Sequence, residues 1–119
     1  MNIAIVGSRN YPNQDDIFWY INSLPIEDVV VSGGARGVDS YAETFARQRG
    51  MTVKVFHADW DKYGKSAGYR RNVDIVNYAD KVVAFWDGKS KGTKHTIDIA
   101  RKCGKPVDIY KPNGGDLHD

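Results

Sequence analysis

Five short apolar runs rich in β-branched residues alternate along this chain with segments of helical periodicity. No other feature constrains the fold as much. The runs are Asn2 to Val6, Asp28 to Val31, Thr52 to Phe56, Lys81 to Trp86 and Val107 to Tyr110. Between them, apolar residues recur at helical spacing: Ile17, Ile21 and Leu24; Val38, Tyr41, Ala42, Phe45 and Ala46; Ile75, Val76 and Ala79, with Asn72 on the same face; then Ile97, Ala100 and Cys103. Pro25, Gly50 and Gly104-Lys105-Pro106 end three of these helices. Strands joined by helices of crossover length imply a mostly parallel sheet with helices on both faces. The expectation is one three-layer α/β domain over residues 1–111, with a five-stranded sheet in the order 3-2-1-4-5. A flexible tail is expected over 112–119.

In such a sheet, ligands bind beyond the strand C-termini, where the direction of winding reverses. Three turns rich in small residues and cations fall at that rim. Gly7-Ser8-Arg9 follows the first strand. Ser32-Gly33-Gly34-Ala35-Arg36-Gly37-Val38-Asp39 follows the second, and Asp87-Gly88-Lys89-Ser90-Lys91-Gly92-Thr93 follows the fourth. Glycines let the backbone turn tightly and approach a ligand, while a helix start offers unpaired N–H groups to an anion. Arg9, Arg36 and Arg71 supply fixed charge with a planar donor fork. Thr93 is placed to cap the last helix and to hold phosphate. Asp39 suits a helix start, where it would favour the dipole, brace Arg36 or meet a ribose hydroxyl. Asn72 would brace a loop or touch a ligand. In the polar loop His57 to Gly64, Trp60 and Tyr63 would either stack on a base or pack the loop onto the body. Trp19 and Tyr20 would cover the core edge or join a subunit contact.

Several function classes drop out. Gly33-Gly34-Ala35-Arg36-Gly37 is not the G-x-G-x-x-G of a dinucleotide dehydrogenase, and the lysine and hydroxyl of a P-loop are missing. His57, Asp59 and Asp61 match no standard metal site, so neither a metal nor a cofactor is expected. A formal net charge of +2 argues for neither nucleic acid nor a membrane as partner. The single cysteine, Cys103, cannot form an intrachain disulfide, and its helical phase favours a buried structural thiol over a nucleophile. There is no long apolar run, and the chain opens on a strand rather than a signal peptide, so a cytoplasmic protein is expected.

Gly7-Ser8-Arg9, Ser32 to Asp39, Arg71-Asn72 and Gly92-Thr93 together resemble the SLOG superfamily, which joins the Rossmann-like domain of DNA-processing protein A to the Lonely Guy phosphoribohydrolases. The resemblance extends to about Tyr110 and is closest to the small single-domain YspA-like group. It implies a pocket for nucleotides or nucleotide-derived molecules such as ADP-ribose derivatives, and, since SLOG relatives often pair, a homodimer. Lonely Guy enzymes carry Pro-Gly-Gly-x-Gly-Thr-x-x-Glu, with the Glu paired to a helix Arg in cleaving an N-glycosidic bond. Here Arg71 matches that Arg and Gly92-Thr93 match the Gly-Thr. The Glu position, however, holds Thr96, and Asp87-Gly88 replace Pro-Gly-Gly. A threonine cannot stabilise an oxocarbenium-like transition state as a carboxylate does.

Three readings follow. The first is a binding module that senses or sequesters a nucleotide derivative. Its ligand would lie on Gly7, Ser8, Arg9, Ser32, Gly33, Gly34, Ala35, Arg36, Gly37, Asp39, Arg71, Asn72, Asp87, Gly92 and Thr93. The second is a nucleotide N-glycosidase, with Arg71, Asp87 and Asp39 as candidate catalytic groups. The third is a single-stranded DNA binder using Trp60, Tyr63 and Tyr69 as platforms, against which the near-neutral charge weighs.

Overall fold

The structure is a computed structural model that describes residues 1–112 and 116–117, the latter pair by backbone only. Five parallel strands, β1 (Asn2–Gly7), β2 (Val29–Ser32), β3 (Thr52–Val55), β4 (Lys81–Phe85) and β5 (Val107–Tyr110), lie in the order β3-β2-β1-β4-β5. This is the expected sheet. A short sixth strand, β6 (Asp116–Leu117), adds to it antiparallel to β5, with Tyr110 opposite Asp116. Part of the stretch expected to be a tail therefore pairs with the sheet. Residues 113–115 and 118–119 of that stretch lie outside the described residues.

The central strands are apolar without alternation because both of their faces are covered. Ile3 and Ile5 of β1, with Val83 and Phe85 of β4, pack against helices α1 (Gln14–Ser23) and α2 (Val38–Gln48) through Ile17, Ile21, Val38, Ala42 and Ala46. Ala4 and Val6, with Val82 and Ala84, pack on the other face against α4 (Ala67–Tyr78) and α5 (Lys91–Lys102) through Ile75, Val76, Ile97 and Ala100. Full burial of each large aliphatic side chain contributes about 1.5–3 kcal/mol. The chain leaves β1 for one face of the sheet and leaves β4 for the other, which opens a crevice between their C-terminal ends.

Several local details differ from expectation. The polar loop after β3 contains one helical turn, α3 (Trp60–Tyr63), capped by the Asp59 carboxylate accepting from the Lys62 N–H, and a 3-10 turn, Gly64–Ser66. Cys103 is exposed at the end of α5, not buried, because the helix stops there and turns at Gly104. Tyr20 is half-buried against Phe85 and Tyr110, whereas its neighbour Trp19 is 69 % exposed and packs edge-on to Phe18. Among the described residues, no helix is long and apolar enough to cross a membrane.

Candidate functional site

A cavity of about 550 Å³ occupies the crevice between β1 and β4. Its base is Val6, Gly7 and Ser8 at the end of β1, with Ile75 of α4. Ser8 is buried and ties the two strands together. Its N–H donates to the Phe85 carbonyl at 3.1 Å, and its hydroxyl oxygen accepts from the Asp87 N–H at 3.1 Å.

One wall is the glycine turn after β2. Asp39, in the first turn of α2, is buried and folds back under this turn. Its Oδ2 accepts from the Gly33 N–H at 3.1 Å and from the Ala35 N–H at 3.4 Å. The Gly34 N–H donates to the Ser32 hydroxyl oxygen at 3.3 Å, and that hydroxyl donates to Glu43 at 2.6 Å. The amides of Gly33, Gly34 and Ala35 are thus satisfied from within the turn and its helix. Gly33 has no room for a side chain unless its neighbours shift. A Cβ there would sit 2.9 Å from Asp39 Oδ2 and 3.0 Å from Arg71 Cδ, so the bare backbone lets both side chains close over it. Burial pushes the Asp39 carboxyl up to about 7, against the pull of the Ala35 N–H, the Arg71 charge and the Gly33 N–H.

Arg71 reaches this turn from α4. Its Nη1 donates to the Gly33 carbonyl at 2.5 Å and its Nε to Asn72 Oδ1 at 3.1 Å. Burial lowers its pKa, as does the nearby charge of Arg9, while Asp39 opposes both. Two guanidinium groups therefore face one opening, and Arg9 has no ion pair or side-chain hydrogen bond among the described residues. Asn72, buried as expected, spans the walls. Its Nδ2 donates to the Gly92 carbonyl at 3.4 Å and lies 3.3 Å from His95 Nδ1.

The opposite wall is the turn into α5. Ser90, not Thr93, caps this helix: its hydroxyl oxygen accepts from the Thr93 N–H at 3.4 Å, and the two hydroxyls are 3.0 Å apart. The reason is geometric, since an N-cap serves the amide three residues on. Within the first turn, the N–H groups of Lys91 and Gly92 have no acceptor among the described residues, and a Cβ on Gly92 would meet nothing within 4 Å. Asp87 holds the turn through its Oδ1, which accepts from the N–H groups of Lys89 and Ser90 at 2.8 and 2.9 Å. Burial opposes its charged form, but these two amides and the Ser8 hydroxyl outweigh that and hold the carboxyl below its ordinary value.

Of the residues expected at the site, Gly7, Ser8, Arg9, Ala35, Asp39, Arg71, Asn72, Asp87, Gly92 and Thr93 line this cavity. Gly33, Gly34 and Arg36 line an adjoining cavity of about 480 Å³, which shares Arg9, Ala35 and Arg71 with the first. Ser32 and Gly37 line neither. Ser32 is buried in its hydrogen bonds, and Gly37, with φ +78°, packs so tightly that a Cβ would lie 2.4 Å from the Arg9 carbonyl oxygen. Asn10, Lys89 and Ser90 also line the main cavity. The signal for Ser90 was its place three residues before Thr93, the N-cap spacing. Thr96, at the position of the missing Glu, is buried in the same cavity with its hydroxyl donating to the Gly92 carbonyl at 3.2 Å.

A parallel doubly wound sheet with its cleft at the β1/β4 reversal, walled by a glycine turn and a helix start, defines a Rossmann-like domain. The family model described as the YspA, cpYpsA-related SLOG family matches residues 1–63, and the chain belongs to that family. It is 39 % identical over 115 residues to the Gene 61 protein of Mycobacterium phage D29, covering 88 % of this chain and 92 % of that protein. Among solved structures it is similar to DNA processing protein A from Streptococcus pneumoniae, with a TM-score of 0.79 and 23 % identity over 98 % of this chain. The chain spans about half, 51 %, of that protein's length. It is also similar to DNA processing protein A from Helicobacter pylori, with a TM-score of 0.71 and 21 % identity over 98 % of this chain and 68 % of that one. The latter structure is described for its single-stranded DNA binding mode.

Proposed function

We propose that this protein binds a nucleotide or nucleotide-derived anion in the main cavity, as a sensing or sequestering module. One observation carries the reading: Arg9 and Arg71 line the same opening as the start of α5, where the Gly92 N–H has no acceptor among the described residues. Two cations lining one space favour an anion between them, and a helix start adds favourable dipole to open donors. The hydroxyls of Ser90 and Thr93 and the Asp87 carboxylate at the rim suit the sugar hydroxyls of such a molecule.

Single-stranded DNA is a second candidate occupant. The observation in its favour is a row of exposed aromatics, Trp60, Tyr63 and Tyr69, beside the cations Lys62 and Arg70, both of which stack over the Tyr63 ring. Base stacking on such rings is tolerant of sequence. The description of the Helicobacter pylori protein weakens the case from net charge against nucleic acid.

Equilibrium dialysis against pooled nucleotides, NAD, ADP-ribose, cyclic nucleotides and a short oligodeoxynucleotide separates these readings. Intact accumulation of a small molecule on the protein side supports the binding module. Retention of the oligodeoxynucleotide alone supports the second reading. Loss of a compound with appearance of its free base would instead reveal a glycosidase and overturn the assignment as a pure binder.

A further inference from the structure

The adjoining cavity has a chemistry unlike that of the first. Its lining carries no carboxylate: the charged groups are Arg9, Arg36 and Arg71, and its far end is His57 and Trp60. Trp60 leaves 55 % of its surface in water although the chain has placed it at a cavity mouth. Its ring lies against Gly68, where a Cβ would come within 3.3 Å of it. Opposite, Gly34 brings bare backbone against the His57 ring, where a Cβ would fall 2.8 Å from Nδ1. The space is thus bordered by flat surfaces, namely an indole, an imidazole, guanidinium planes and a glycine backbone. Such surfaces accept a planar ring without specifying its edges.

We infer that this second cavity is a subsite for the aromatic base of the ligand, stacked on Trp60, while the phosphate stays in the main cavity on Arg9 and Arg71. The inference rests on the phosphate reading above and adds a direction to it. Arg9, Ala35 and Arg71 belong to both cavities, so a molecule anchored by phosphate on the two arginines reaches Trp60 without leaving the protein surface. The ligand class is a purine or pyrimidine nucleotide held at both ends, in preference to a sugar phosphate held at one.

Isothermal titration of the full chain with inorganic pyrophosphate, ribose 5-phosphate and adenosine 5′-monophosphate tests this. The wild type is expected to bind adenosine monophosphate about tenfold more tightly than ribose 5-phosphate, the scale of one stacked base. Trp60→Ala is expected to abolish that difference and leave pyrophosphate affinity unchanged, and Trp60→Phe to restore most of it. Equal affinity of the wild type for the two ribose compounds overturns the base subsite alone, as does a Trp60→Ala protein that keeps the tenfold difference. A wild type that binds none of the three overturns the phosphate reading and the subsite with it.

Discussion

Asp39 and Arg71 hold the backbone of one residue, Gly33, from its two sides. Asp39 Oδ2 accepts from the Gly33 N–H, and Arg71 Nη1 donates to the Gly33 carbonyl. The helix after β2 and the helix before β4 are in this way fastened to one glycine, and the cavity wall is set by both.

Exchanging Arg71 for Lys keeps the charge and removes the fork that reaches Gly33 and Asn72 together. Charge-assisted hydrogen bonds contribute about 1.5–3 kcal/mol each. The Arg71→Lys protein should therefore bind inorganic pyrophosphate about 10- to 100-fold more weakly by isothermal titration. An unchanged affinity would remove Arg71 from the site.

The elevated Asp39 pKa makes stability depend on pH in a definite direction. In the folded protein the carboxyl keeps its proton up to about 7, whereas in the unfolded chain it loses it near 3.8. The contribution of this group is thus complete below that lower value and declines as pH rises through about 7, by a few kcal/mol. Asp39→Asn removes the titrating group and should flatten the stability profile between about pH 4 and 7 in urea unfolding. Parallel profiles for the two proteins would contradict the burial of a titrating Asp39.

Gly37 and Gly50 share a φ of +78°, but only Gly37 has the Arg9 backbone against it. Gly50→Ala should cost about 1 kcal/mol. Gly37→Ala meets both the strained backbone and the contact and should cost at least about 2 kcal/mol. Thermal unfolding of the pair measures the difference.

Ser90→Ala deletes the cap of α5 and should destabilise the protein by about 1 kcal/mol, with Ser90→Asp close to wild type. Chemical denaturation of the two variants, with Thr93→Val as a third, checks that the cap is Ser90. A larger loss in Thr93→Val than in Ser90→Ala would reassign it.

The sheet order was legible because apolar runs and helical spacing are local signals, and one winding pattern accommodates them. The three rim turns were legible for the same reason. What their backbones do was not. In the sequence, Gly33 to Gly37 reads as a turn whose backbone approaches a ligand, but the side chain of Asp39, four to six residues on, takes up two of its amides. Only the path of the turn decides that. Cys103 fits the apolar phase of its helix, yet the helix ends under it and leaves it in water. Ser90 and Thr93 both carry a capping hydroxyl, and the choice between them depends on where α5 begins, the least certain boundary in any sequence. The pairing of β6 rests on two residues beyond a proline and glycine segment, too short a run to carry a pattern.

The outer strand β3 has a consequence beyond the site. β3 and β6 are the two outer strands of the sheet among the described residues; β3 is four residues long, with Thr52 and Lys54 turned to water. Lys54 leans its ammonium over the Phe56 ring at 5.2 Å and the Tyr78 ring at 6.0 Å, which anchors the charge at this border. A second molecule adding its own strand here would have to strip water from that ammonium in exchange for very few backbone bonds. The β3 border therefore opposes edge-to-edge growth on that side of the sheet.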